Sequence, residues 1–178
     1  DLAFSLWSFS HSVHQQLEKF TNLNQGKQYI INVLVKFITE NLSDKGRMFI
    51  IHFDSQSEEQ TILMKQWAKT SPVYDRYGKI SLSLECIHDA LEYLKNNNLV
   101  SYQIRHQNGE EIKYNNEENA LETFVNFHLE GVFNGGSNTI LTQVIKELKT
   151  EFVQYTNKRD NTTSIGTGCY LIEINKNV

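Results

Sequence analysis

Glu111-Ile112-Lys113 sets a carboxylate and an ammonium two positions apart, which puts both on one face if the segment is extended. With an upstream carboxylate from Asp75 or Asp89, such a pair can hold a divalent metal and polarise a phosphodiester. His11 and His14 stand one helical turn apart and could share a metal, but no Glu completes an HExxH arrangement. His52 and Asp54 sit at the end of a short strand-like run, where a hydrogen-bonded structural histidine is the simpler reading. Gly166-Thr167-Gly168 lacks the strand–loop–helix setting of a phosphate site, and no Ser or Cys lies in a GxSxG turn. The expectation from these groups is a protein without catalytic residues, with no metal ligands and no cofactor.

Charge and composition narrow the classes further. The 178 residues carry a formal net charge of −4, so nothing in the whole-chain charge draws the protein to nucleic acid or an anionic membrane. Cys86 and Cys169 are far apart and form no CxxC unit, which argues against a secreted disulfide framework and a structural zinc site. The sequons Asn41-Leu42-Ser43 and Asn161-Thr162-Thr163 carry little weight without a secretory leader. No apolar run approaches the roughly 20 residues that span a bilayer. A soluble intracellular protein, in nucleus or cytoplasm, is expected. The chain opens on Asp1, as a fragment of a longer protein would.

The elements that would position these residues follow from periodicity. Leu2, Leu6, Phe9, Val13, Leu17 and Phe20 recur every three or four residues and predict one N-terminal helix. Ile30, Val33, Leu34, Phe37 and Ile38 predict a second, and Arg47 to Phe53 a short strand. Ser57 caps a third helix with Gln60 reaching back, and Pro72 ends it. Leu84, Ile87, Leu91 and Leu94 mark a fourth, closed by Asn96-Asn97-Asn98. Asn108-Gly109, between Leu99–His106 and Glu111–Asn115, predicts a hairpin tip. Helices from Glu117, capped by Asn116, to Val132 and from Ser137 to Tyr155 follow, separated by Asn134-Gly135-Gly136. Thr156 to Gly168 reads as polar and mobile, and Cys169 to Ile174 as a last strand.

The order over residues 28 to 115, and above all SLSLECIHDALEYLKNNNLVSYQIRHQNGEEIKY, resembles the third helix and wing of winged-helix domains. That resemblance implies an α+β fold: an N-terminal helix over 1–27, a winged-helix core over 28–115 and a helical extension over 116–178 ending in a strand. Winged-helix domains either read DNA or assemble protein complexes, and the fourth helix chooses between them. Its outward side carries Glu85, His88, Asp89 and Glu92, a surface that repels phosphates and suits a protein partner with a basic face. The neighbouring Glu117, Glu118 and Glu122 extend the acidity.

The expected function is therefore a non-catalytic interaction module of a nucleic-acid-associated complex, with the oligomeric state open. Direct nucleic-acid binding is the first alternative, using Arg105, His106 and Lys113 of the wing and the Lys146, Lys149, Lys158 and Arg159 group. The second alternative is a PD-(D/E)xK-type nuclease, from the ExK spacing at Glu111 and Lys113. Pro72 is followed by Val73 and not by the Asp of that motif.

Overall fold

Alternating side chains in Leu2–Leu6 and Arg47–Phe53 make two strands, β1 and β2, that pair in parallel from Leu2 opposite Arg47 to Leu6 opposite Ile51. A parallel pair needs a long crossover. Here it is supplied by helices α1, Ser8–Leu17, and α2, Leu23–Asn41. The computed structural model describes residues 1–129 and 138–177. Along the rest of the chain come α3 (Glu58–Trp67), a 3₁₀ turn (Pro72–Tyr74), α4 (Leu82–Asn96) and β3 (Val100–Tyr114). Next are α5 (Glu117–Thr123), running on into a π-helical turn (Phe124–His128), and α6 (Asn138–Phe152). A second 3₁₀ turn (Val153–Tyr155) and β4 (Thr163–Lys176) complete the order. The fold is mixed α+β, with one sheet in the order β1-β2-β4-β3 and β4 antiparallel to β2.

The chain forms two compact units. The first comprises Asp1–Asp54, Ile80–Gln107 and Gly168–Val178, and the second Ser55–Lys79 and Asn108–Thr167. In the first unit α1, α2 and α4 pack against one another, and α1 also packs on β2. The register brings Met48, Ile50 and His52 of β2 beside Ile174, Ile172 and Tyr170 of β4. Ile30, Leu34 and Ile38 of α2 and Ile87, Leu91 and Leu94 of α4 are buried in the same core. On the edge strand Leu2, Phe4 and Leu6 remain more than half exposed, and Phe4 stacks on Phe49 at 5.7 Å. The second unit is built around Ile62, Leu63, Phe124, Leu148, Phe152 and Ile165. Lys65–Glu151 at 2.8 Å and Lys69–Glu147 at 2.7 Å tie α3 to α6 along its surface.

Several expectations meet a different structure. The N-terminal helix does not reach back to Leu2. Trp7, at φ 62°, turns the chain out of β1 before α1 starts. Leu2 and Leu6 fit a helical spacing, but Leu-Ala-Phe-Ser-Leu also alternates large and small, and that period prevails in the pairing with β2.

The wing is corrected too: β3 runs unbroken through Asn108 and Gly109. A two-residue hairpin turn of the Asn-Gly kind needs positive φ at both residues, and neither has it. Gly109 serves close approach instead, since a Cβ there would collide with the Thr167 side chain. The Thr156–Gly168 stretch is also ordered. Asn157 and Asp160 accept backbone N–H bonds from Arg159 and Thr162, Asn161 takes φ 62°, and β4 begins at Thr163. The expected Asn134-Gly135-Gly136 connection lies outside the described residues.

Candidate functional site

The first unit places its chemistry where β2 ends. Asp54 follows the last residue of β2, and its N–H donates to Gly168 O at 3.0 Å. Gly168 has no room for a side chain, because a Cβ would fall 2.9 Å from Asp54 Oδ2. His106 reaches the same carboxylate from β3, with Nε2 2.7 Å from Asp54 Oδ2. The Asp54 carboxylate is 8% exposed, whereas the imidazole is 43% exposed and leans on the Tyr170 ring at 5.0 Å. The carboxylate accepts from Nε2–H, so in a neutral ring Nδ1 is the nitrogen that carries the lone pair. A buried carboxylate that fixes the tautomer of a half-exposed imidazole is the arrangement of a general base and its orienting group.

A second polar chain joins α4 to β2. Ser81 caps α4 by accepting from the Leu84 N–H at 3.2 Å. Its hydroxyl lies 3.0 Å from Ser83 Oγ, and Ser83 Oγ lies 2.8 Å from His52 Nε2. His52 Nδ1 is 2.7 Å from Phe53 O, an acceptor only, so Nδ1 donates and Nε2 accepts from Ser83. Burial pushes His52 down to about 4. His14 on α1 is pushed down to about 3, chiefly by burial and then by the charges of His52 and His11. Both rings are buried and neutral at pH 7, and both nitrogens of His52 are engaged in hydrogen bonds. Asp54, set beside it in the sequence, instead faces His106.

Beside Tyr170 opens a cavity of about 470 Å³. Leu84, Ile104, Tyr102 and Tyr170 give it apolar and aromatic walls, and Glu85, His88 and Asp89 of α4 stand at its rim. That volume falls in the range of small-molecule sites, roughly 300–1,000 Å³.

The residues singled out from the sequence are distributed unevenly around this site. Of the expected acidic stripe, Glu85 pairs with Lys27 at 3.0 Å and is only a quarter exposed. Glu92 accepts from the Tyr102 hydroxyl and from Lys95, and the tyrosine bond holds its carboxyl below the usual range. Burial and that same carboxylate push Tyr102 up to about 12. Only His88 and Asp89, 3.9 Å apart, are half exposed to solvent. His106 is not a wing residue but the partner of Asp54, while Arg105 and Lys113 are exposed on β3. Among the described residues no group of three or more His, Cys, Asp or Glu side chains lies together as a metal site. Cys86 and Cys169 are free thiols, and burial pushes Cys86 up to about 11. No described helix is long and apolar enough to cross a membrane.

Asp54 and His106 are 52 positions apart, and no short-range pattern could have joined them. The available signal was weaker: an Asp directly after an apolar strand, and a His in phase with Tyr102 and Ile104 on an alternating one.

No family model and no curated protein matches the chain. Among solved structures it is similar to the YcgJ protein of Bacillus subtilis, at 14% identity and a TM-score of 0.43. That match covers 100% of this chain, which spans 64% of the length of the other.

Proposed function

We propose that the first unit binds a small organic molecule in the cavity beside Tyr170, and that His106, oriented by Asp54, accepts a proton from it. The support is positional. In open sheets with parallel strands, ligands bind outside the carboxyl ends of those strands. Asp54 stands at the carboxyl end of β2, and Tyr170 links the Asp54–His106 pair to the cavity wall. The observation that carries the reading is the 2.7 Å bond between a buried carboxylate and a half-exposed imidazole next to an apolar-walled cavity. An ¹⁵N-labelled sample screened against small organic fragments checks it. Hits should shift the amides of Ile104, His106 and Tyr170 together, and a screen whose hits all map elsewhere overturns the reading.

A second reading keeps the interaction module of an intracellular complex, with α4 as the partner surface. What favours it is the solvent-facing His88–Asp89 pair. The winged-helix resemblance retains α4 leading directly into β3, but it has no second wing strand after Asn108-Gly109. His106→Ala separates the readings, because it removes the base of the first reading and leaves the His88–Asp89 surface of α4 that a basic protein partner would meet.

A further inference from the structure

We infer that the molecule bound in the α4 cavity carries a positively charged nitrogen on an apolar or aromatic body; this rests on reading that cavity as a ligand site. The walls argue for the body. Leu84 and Ile104 offer no hydrogen-bonding side-chain atoms, and Tyr102 has already committed its hydroxyl to Glu92, so it presents its ring. The rim argues for the charge. Glu85 and Asp89 are one helical turn apart on α4, and both line the cavity. Lys27 neutralises Glu85 at 3.0 Å, whereas Asp89 has no lysine or arginine partner among the described residues.

An anionic ligand would meet this carboxylate in a lining that contains no lysine or arginine. A cation meets Asp89 and the ring of Tyr170, whose quadrupole attracts positive charge, while the Tyr102 ring already has the Lys95 ammonium over it at 5.5 Å. A protonated amine two or three bonds from an aromatic ring fits both sets of walls at once. The α4 acidity that reads in the sequence as a protein-docking stripe is, in this arrangement, the charged mouth of a small-molecule site.

Titration of the whole chain with 2-phenylethylamine, 2-phenylethanol and phenylacetate, followed by ¹H–¹⁵N spectra, tests this. The amine should saturate with shifts at Tyr102, Ile104 and Tyr170 and bind about tenfold more tightly than the alcohol, the discrimination one well-placed ionic contact supplies. Phenylacetate should bind more weakly than either. Asp89→Asn should bring the amine down to the level of the alcohol while leaving the alcohol unchanged, which a folding defect would not do. Equal affinity for amine and alcohol, or an Asp89→Asn variant that keeps the preference, overturns the charge assignment and leaves the cavity reading standing. Saturable shifts from none of the three probes overturn both.

Discussion

His52 and His14 show how burial turns a titratable side chain into a pH limit on stability. Both are neutral in the folded protein, with His52 lowered to about 4 and His14 to about 3 from the ordinary 6.5. Between those values the unfolded chain binds protons that the folded one refuses, so stability rises with pH there. Stability should therefore be complete above pH 6.5 and fall as the pH drops toward 4. A shift the size of that at His52 corresponds to about 3 kcal/mol. Urea midpoints measured from pH 7 to pH 4.5 should fall steadily, and His14→Leu should flatten the slope. A midpoint independent of pH over that window would contradict the burial argument. At the same scale, Asp54 and His106 are visible in the sequence only as residue types, and their 2.7 Å bond is a product of the sheet.

At the scale of elements, β3 and α4 carry the sharpest tests. If Asn108 lies in a continuous strand, Asn108→Val should change stability by less than about 0.5 kcal/mol or raise it slightly, because β-branched residues suit exposed strand positions. In a turn with positive φ the same change would be costly, so chemical denaturation distinguishes the two. Gly109→Ala should cost 1 kcal/mol or more, on the order expected when a side chain is forced into a filled space against Thr167. Ser81→Ala removes the α4 cap and one link of the serine chain to His52, and should cost about 1–2 kcal/mol in thermal or urea unfolding. The helices that behaved as expected have strong local signals. Ser57 accepts from Gln60 N, Asn116 accepts from Asn119 N, and Asn98 adopts φ 57° after α4. The expected elements that did not form depended on partners outside the local window.

For the whole molecule, the notable feature is that each compact unit is assembled from separate stretches of chain. Phe124 is the keystone of the second unit: fully buried, it packs edge-on against Phe152 at 5.0 Å and near Tyr114 at 6.5 Å. Phe124→Ala should destabilise that unit by about 3–5 kcal/mol, the usual cost of removing a buried aromatic ring. Hydrogen exchange read unit by unit would show whether amides of α3 and α6 lose protection, as this packing requires. In the first unit, the parallel pairing of β1 with β2 sets the direction of the strands, and that direction decides which end presents Asp54.

Helix registers, caps and the β2 segment were legible in the residues, because an apolar stripe or a capping side chain acts within one or two turns of itself. The α+β class followed from the same local signals. Leu2–Leu6 was ambiguous, since two periods fit its spacing and only the presence of β2 alongside selects the strand. Asn108-Gly109 has the chemistry of a turn, yet a long β4 neighbour and the close Thr167 keep it extended. Glu85 and Glu92 looked free on a helical wheel, but Lys27 from α2 and Tyr102 from β3 engage them. The pairing of Asp54 with His106, and the cavity that Tyr170 walls, depend on three strands meeting at one end of a sheet. Such pairings span tens of residues, and side-chain periodicity carries no information about them; only the folded register does.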